Sequence, residues 1–235
     1  MKWVERLFFV GIACGTILII LTKIDSYTIS SLNEPVIVLE ELGTDDYSAI
    51  EDFMNDSNDD NEWFQTILKG SGEFVDSDTG DNMTLQRLAD DRLESDNIHY
   101  IQYPWFATVD LDGDREKELI VWEKINGLNC SGYNVFKRAN DNVQRYYLNY
   151  REMISLKEDG TFIYSNGAYD FGIGRLSFTN NTVGVDKLIW KWKDCTNPEN
   201  KTYHYKAGEE IGEHMFNYLV DLQNAKKDIS WNALE

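Results

Sequence analysis

The chain has 235 residues, of which 42% are hydrophobic and 13% are aromatic, and it carries a formal net charge of -19. This length and apolar content exclude a wholly disordered chain and predict one substantial folded domain. The strong negative charge, with no basic stripe in the sequence, argues against nucleic acid as a partner and favours cations.

The first predicted element is a membrane segment. Lys2 and Arg6 precede an unbroken apolar run from Leu7 to Thr22. A membrane-spanning helix needs about 20 residues and the apolar part of a cleavable signal about 7 to 15, and this run lies between the two. No small-residue cleavage site follows it. The sequence therefore predicts an uncleaved signal anchor over residues 1–25, which makes the protein a single-pass protein of the cell membrane with its later residues outside.

A competing interpretation concerns Cys14. The residues "GIAC" that end at Cys14 resemble the lipobox of bacterial lipoproteins, in which the cysteine is lipidated and everything before it is removed. Gly11 stands where the lipobox usually has Leu, and the chain stays apolar after Cys14. The anchor is therefore favoured over the lipoprotein, and both interpretations place the folded domain outside the cytoplasm.

An acidic tether follows the predicted anchor. Residues 24–68 contain no Lys or Arg, and the first part of this stretch contains Ser, Asn and Pro. The sequence therefore predicts a tether over residues 26–43 and an extracytoplasmic domain over residues 44–235.

The predicted domain begins with helices and continues with strands. Apolar residues at helical spacing predict short helices after Thr44, in "DNEWFQTILKG" and over residues 85–95. From Ile98 onward, runs rich in aromatic and β-branched residues alternate with Gly, Asn and Asp, which predicts antiparallel strands joined by turns such as Asp159-Gly160 and Asn180-Asn181. A final amphipathic helix is predicted from one stripe of apolar residues: Ile211, Met215, Leu219 and Leu222. The predicted fold class is α+β, with an N-terminal membrane helix, short helices, one antiparallel β-meander sheet and a C-terminal amphipathic helix.

The strongest motif is "ATVDLDGDREKELIVW", residues 107–122. It contains five closely spaced carboxylates, which are Asp110, Asp112, Asp114, Glu116 and Glu118. Like charges this close repel, so the segment is either a solvated acidic turn or a site for a cation. Calcium takes about six to eight oxygen ligands, which an alternating loop of carboxylates can supply together with a carbonyl and water. An EF-hand is excluded because Arg115 and Val121 stand where that loop needs Gly and Glu.

The motif resembles the shorter Asp-x-Asp-x-Asp-x-x-x-Asp/Glu calcium loop of FG-GAP and VCBS-type repeats. A single copy of that loop is also found in uncharacterised secreted or anchored proteins of Gram-positive bacteria, whose layout this chain resembles over residues 60–235. The resemblance implies one structural calcium ion, with the three Asp side chains as ligands, the carbonyl of Glu116 as a further ligand and Glu118 at the start of the next strand. Arg115 departs from the pattern, since Gly or Asn usually follows the third Asp to allow a left-handed turn.

Two further pairs of residues are candidate sites. Trp190 and Trp192 share one face of a predicted strand, where they form either an aromatic platform for sugar rings or, as the pattern alone favours, part of the core. Cys130 and Cys195 could form a disulfide in an oxidising exterior.

The sequence offers no nucleophile elbow, no phosphate-binding Gly loop and no histidine metal motif, so it assigns no catalytic residue. It favours a non-enzymatic function: a membrane-tethered extracytoplasmic binding or interaction module with one structural calcium ion and an unknown protein or glycan ligand. The alternative hypothesis is a cell-envelope hydrolase that acts on glycan or peptide with Asp and Glu as acid and base. That alternative predicts an open cleft with two carboxylates away from the Asp-rich loop. A third hypothesis is a purely structural spacer.

Overall fold

Strands make up most of the regular secondary structure. The computed structural model describes residues 62–94, 98–127, 131–139, 142–167, 169–179, 182–196 and 201–234. The helices within these residues are α1 (Glu62–Leu68), α2 (Leu85–Glu94) and α3 (Glu213–Asn224). The strands are β1 (Phe74–Asp76), β2 (Asn82–Met83), β3 (Ile101–Val109), β4 (Glu118–Ile125), β5 (Gly132–Ala139), β6 (Asn142–Asn149), β7 (Phe162–Ser165), β8 (Asp170–Thr179), β9 (Thr182–Lys193), β10 (Thr202–Lys206), β11 (Glu209–Ile211) and β12 (Asn232–Ala233).

The predicted α+β fold class is wrong. The described residues form two β-sheets of seven and five strands, with three short helices, rather than one meander flanked by helices. The physical reason lies in strands such as β4, whose first four residues are all buried. A strand that is apolar on both faces needs cover on both sides of its sheet. Short helices cover one side, and a second sheet covers the other.

The predicted anchor and tether, residues 1–43, lie outside the described residues, and so do Cys14 and the helix predicted after Thr44. Across the residues that the structure describes, no helix combines the length and apolar character needed to cross a lipid bilayer. The membrane location therefore stays a prediction.

The first sheet has the strand order β12-β3-β4-β5-β6-β1-β2. Its neighbouring strands are antiparallel except β1 and β6, which run parallel. Helices α1 and α2 cover one face, where Phe64 and Leu88 belong to the same buried cluster as Phe106 and Val121. The two helices predicted around Trp63 and over residues 85–95 are thus confirmed. Most of their predicted apolar side chains are buried, whereas Trp63 and Leu93 are only partly buried.

The second sheet has the strand order β11-β10-β9-β8-β7, and all its pairs are antiparallel. It covers the other face of the first sheet through a second buried cluster, in which Phe162 and Leu176 pack with Ile120 and Val135. The hairpin predicted at Asn180-Asn181 is consistent with the pairing of the flanking residues of β8 and β9.

Both sheets end in short strands. In the first sheet β12 and β2 have two residues each, and in the second sheet β11 has three and β7 has four. Strand β12 pairs with β3 only at Trp105 and Phe106.

The C-terminal helix forms, but its buried face differs from the predicted stripe. Met215 and Leu222 are 48% and 47% exposed, whereas Phe216 is buried. Phe216 packs against Phe171 of β8 and His204 of β10, with ring centroids 6.4 and 4.9 Å away. The helix therefore contacts the outer face of the second sheet through Phe216, and its other buried residue, Gln223, donates to Thr161 Oγ1 at 2.9 Å. Ile211, the first residue of the predicted stripe, lies in β11.

Candidate metal centre

The Asp-rich segment is the loop between β3 and β4, which are adjacent antiparallel strands. Val109 ends β3 and pairs with Glu118, the first residue of β4, so the loop occupies residues 110–117. Leu111 is fully buried in the second core cluster and anchors the loop. Its backbone N–H donates to Glu118 Oε2 at 2.7 Å, and its carbonyl accepts from Leu176 N at 3.0 Å. The loop is therefore fixed to both sheets.

The carboxylates also shape the loop by accepting backbone hydrogen bonds. Asp110 accepts from Gly113 N at 2.6 Å and from Arg115 N at 3.0 Å. Asp114 accepts from Glu116 N at 2.8 Å. Such Asx turns let an Asp side chain take the place of a backbone carbonyl in a tight turn. Part of the crowding of acidic residues is thus a requirement of the backbone conformation.

Arg115 adopts the left-handed conformation that its position in the motif requires. Its φ is 78°, and that of Gly113 is 86°. Glycine adopts positive φ without steric cost, whereas an arginine does not. The backbone at residue 115 thus makes the left-handed turn that the motif predicts, although the residue is Arg rather than Gly or Asn.

Three of the five predicted ligands come together. One carboxylate oxygen each from Asp110, Asp112 and Glu118 lies within 4.8 Å of the other two. The carboxylates of Asp114 and Glu116 fall outside this trio and are exposed. The ligand predicted for Glu116 is its backbone carbonyl, which the trio of side chains does not test. The three carboxylates of the trio could therefore share one cation.

A lysine from the neighbouring strand lies among the same carboxylates. Lys137 Nζ on β5 lies 2.6 Å from Glu118 Oε1, 2.7 Å from Asp114 Oδ2 and 3.0 Å from Asp112 Oδ2. Its side chain is only 15% exposed, and its ammonium lies 5.1 Å from the ring centroid of Phe178. The repulsion within the loop is therefore offset, at least in part, by a cation that the fold itself provides.

The local sequence of the loop gives no signal for Lys137, which lies 19 residues beyond Glu118. The signal is the register of β4 and β5. Leu119 pairs with Phe136, so the next pair along the ladder brings Glu118 opposite Lys137. An opposite-charge pair across two antiparallel strands stabilises a sheet, but the register has to be known to find it.

Burial and hydrogen bonds together shift the pKa values of Glu118, Lys137 and Asp114. Desolvation raises the pKa of Glu118 to about 7, although hydrogen bonds from Lys137 and Leu111 act in the opposite direction. Burial acts to lower the pKa of Lys137, but its hydrogen bonds to Asp114 and Glu118 outweigh that effect and raise it. Burial also acts to raise the pKa of Asp114, and the hydrogen bond from Lys137 more than reverses this. Lys137 therefore stays charged near neutral pH.

The predicted tryptophan pair divides between the core and the surface. Trp190 is half-buried and packs against the second core cluster, with the ring of Tyr205 stacked 5.1 Å away. Trp192 is 45% exposed and stacks on Tyr203 at 6.1 Å. Only Trp192 is accessible enough to serve a ligand.

The disulfide prediction involves a residue outside the described part of the chain. Cys195 is exposed near the end of β9, whereas Cys130 is not among the described residues. Their pairing stays a prediction.

Comparison of the chain with known protein families, with curated proteins and with solved structures found no match. The resemblance to FG-GAP and VCBS-type loops therefore stays a prediction from the sequence motif of residues 110–118.

Proposed function

We propose that the chain is a binding module outside the cell membrane, tethered by its N-terminal segment, and that the β3–β4 loop binds one calcium ion. The observation that carries the proposal is the trio of Asp110, Asp112 and Glu118, whose oxygens lie within 4.8 Å of one another. A set of carboxylates without nitrogen or sulfur is typical of hard cations such as calcium. The tether and the location are supported by the sequence of residues 1–43 alone.

The ion has a structural role in this proposal. Asp110 directly follows β3 and Glu118 opens β4, so an ion held by both would join the two ends of the loop. Because Leu111 in the same loop is hydrogen-bonded to β8, the ion would also strengthen the contact between the two sheets. Calcium would thereby stabilise the folded domain that presents a ligand-binding surface.

Calcium has to compete with Lys137 for two of its ligands. The ammonium lies 3.0 Å from Asp112 Oδ2 and 2.6 Å from Glu118 Oε1. Two cations this close repel strongly, so binding of calcium requires the Lys137 side chain to turn away. The lysine is therefore expected to reduce the affinity of the loop for calcium.

This competition gives a direct test. Lys137→Met keeps most of the aliphatic side chain and removes the charge. Calcium should therefore bind at least about tenfold more tightly, as measured by calorimetric titration of the full-length chain at about pH 9, well above the pKa of Glu118 of about 7. Calcium should also raise the melting temperature of both proteins, and more so for the variant at a given calcium concentration.

Lys117→Met is the matched control. Lys117 is an exposed lysine of the same loop, and no described contact joins it to the carboxylates. Its replacement should change the calcium affinity much less than that of Lys137. If neither the natural protein nor Lys137→Met binds calcium, the proposed ion site is wrong and Lys137 is the permanent countercharge of the loop.

The hydrolase alternative has one point in its favour and one against it. A cavity of about 200 Å³ away from the loop is lined by two carboxylates, Glu152 and Asp170. Both carboxylates already bind other groups of the protein: Asp170 forms an ion pair with Lys187 at 2.6 Å, and Glu152 Oε2 accepts a hydrogen bond from the backbone N–H of Asn149 at 2.7 Å. Binding is therefore the function we propose.

A further inference from the structure

A cavity of about 470 Å³ lies against the edge of β3 that β12 leaves open. Its lining comes from the end of β3, from the β3–β4 loop and from the chain that enters β12, and it includes Thr108, Val109, Asp110, Lys117, Ser230 and Asn232. Ligand sites have volumes of roughly 300–1,000 Å³, so this cavity has room for a ligand.

The chain before β12 turns away from β3 at this cavity. Asn232 pairs with Phe106, so a longer β12 would bring Ser230 opposite Thr108. Instead, the backbone N–H of Ile229 donates to the carbonyl of Leu156 at 3.2 Å, and Ser230 lies outside any strand. The cavity therefore lies where β12 would otherwise continue along β3.

The backbone of Thr108 directs its N–H and C=O toward this open edge. Successive residues of an antiparallel strand direct these groups alternately to its two sides. The N–H of Leu234 donates to the carbonyl of Pro104 at 3.0 Å, so Pro104, Phe106 and Thr108 face the β12 side, and the residues between them face β4. Within the described part of the chain, no backbone hydrogen bond reaches Thr108 from the β12 side. Thr108 thus presents one donor and one acceptor to the cavity.

The charge beside the cavity favours a basic partner. Because β12 occupies the edge at Trp105 and Phe106, a strand that pairs with Thr108 has to leave past the β3–β4 loop. The five carboxylates of that loop outnumber the cations beside them, which are Arg115, Lys117 and Lys137. A bound calcium ion would neutralise much of this excess, but the whole chain carries a formal net charge of -19 and attracts basic segments at longer range.

We propose that β3 binds an extended, basic segment of a partner protein, which adds as a strand at Thr108 and occupies the cavity. The N–H of Thr108 donates to the backbone of that segment, and its C=O accepts from it. In this mode of recognition the main-chain hydrogen bonds provide affinity. The inference rests on the proposed binding function and names its partner class, but the contact with Thr108 does not require calcium.

The probe for the test is the peptide acetyl-Lys-Val-Thr-Val-Lys-Lys-amide, which is titrated into the isotope-labelled full-length chain in the presence of EDTA. We expect saturable binding with a dissociation constant below about 1 mM. Hydrogen exchange of the Thr108 amide, followed by NMR, should slow at least about tenfold in the complex, because this amide gains an acceptor. The same peptide with Glu in place of each Lys should bind at least about tenfold more weakly.

Thr108→Pro removes the amide donor at the cavity without removing a hydrogen bond to β4. Proline is tolerated in a strand where its nitrogen faces an open edge, and Pro104 already occupies a position of the same orientation in β3. This substitution should weaken peptide binding at least about tenfold. Thr108→Val is the matched control: it keeps the backbone groups, so the affinity should change by less than about twofold.

A second pair of variants tests the cavity itself. Ser230→Trp places a large side chain in the cavity and should also weaken peptide binding, whereas Ser230→Ala should leave it unchanged. Circular dichroism checks that each variant is folded.

The proposal is overturned if the basic peptide does not bind at millimolar concentration, or if the acidic peptide binds equally well. It is also overturned if the folded Thr108→Pro and Ser230→Trp proteins bind the basic peptide as tightly as the natural protein does. Unchanged exchange of the Thr108 amide at saturating peptide would contradict it without any variant. Because calcium is chelated throughout, failure of the proposed calcium site leaves this result interpretable.

Discussion

Arg115 has a strained backbone conformation in the β3–β4 loop. Its φ of 78° lies in the left-handed region, which costs an L-residue with a side chain about 1–2 kcal/mol. Its side chain is exposed, and the contact that the structure describes for its backbone is the hydrogen bond to Asp110. The sequence motif already indicates a left-handed turn at this position, so the strain could be predicted from the sequence.

Arg115→Gly should therefore stabilise the domain by about 1 kcal/mol, because glycine adopts this φ without steric cost. Urea denaturation measures the change. Lys117→Gly in the same loop serves as the control, because no positive φ is found there, and the added chain entropy should destabilise by about 0.5–1 kcal/mol. Equal effects of the two substitutions would contradict the assignment of strain to Arg115.

Glu118 should make stability depend on pH around neutrality. Its pKa is raised from 4.5 in the unfolded chain to about 7 in the fold, so its favourable contribution is fully present below pH 4.5 and is lost as the pH rises through 7. The loss is on the order of 3 kcal/mol for a shift of this size. With calcium chelated, the free energy of unfolding should fall from pH 5 to pH 8.

Glu118→Gln removes the titrating group and keeps an oxygen for the Leu111 amide. Its stability should vary less over this pH range than that of the natural protein, as determined by denaturant unfolding at each pH. Parallel curves for the two proteins would show that Glu118 does not titrate there.

At the scale of the elements, local sequence signals predicted the short helices, whereas the arrangement of the strands in two sheets depends on long-range pairing. Helix α2 follows from Thr84 as its cap and from the spacing of Leu85, Leu88 and Ala89, all of which are close in sequence. The second sheet could not be predicted in this way, because strand texture does not say which strands share a sheet. The apolar run "LIVW" in β4 was the available signal, since it is typical of a strand covered on both faces. Lys137 was missed for the same reason, because its place depends on the register of β4 and β5.

Strand β1 is held to β6 by a buried ion pair. Arg145 and Asp76 form it, with both side chains almost fully buried, and Arg145 also donates to Asn134 Oδ1 at 2.8 Å. Burial acts to raise the pKa of Asp76, but the charge and hydrogen bond of Arg145 outweigh it and lower the pKa. Asp76 therefore stays charged, and its ion pair with Arg145 links the side chains of β1 and β6.

Asp76→Ala should destabilise the domain by about 3–5 kcal/mol, because it leaves the buried guanidinium of Arg145 without its carboxylate. Thermal and urea unfolding both measure this loss. Asp78→Ala in the same turn is the control: its side chain is exposed, so the stability should change by less than about 0.5 kcal/mol. A small effect of Asp76→Ala would mean that water reaches Arg145.

At the scale of the whole molecule, the turn at Asp159-Gly160 contacts both the β3–β4 loop of the first sheet and β8 of the second sheet. Gly160 has a φ of 76°, and a Cβ at this position would lie 1.9 Å from the carbonyl oxygen of Asp110. Arg175 of β8 donates to the carbonyl of Asp159 at 3.0 Å. The turn thus packs directly on the first residue of the Asp-rich loop.

Gly160→Ala should destabilise the whole domain by about 3 kcal/mol or more and weaken calcium binding, because either the turn or the loop must move. Gly167→Ala separates this clash from backbone strain, since Gly167 has a φ of 91° with nothing within 4 Å of a Cβ. It should lose only about 1 kcal/mol and leave calcium binding unchanged. Circular dichroism and calorimetric titration of the two variants give the comparison.

The short strands β12 and β1 cover only parts of the longer strands beside them, β3 and β6. An open sheet edge is a template on which a further strand can add, and long flat edges promote aggregation and fibril growth. Strand β12 pairs with only two of the nine residues of β3, so it leaves most of that edge of the first sheet uncovered. The large negative charge of the chain opposes the addition of strands from other copies, because like-charged molecules repel one another.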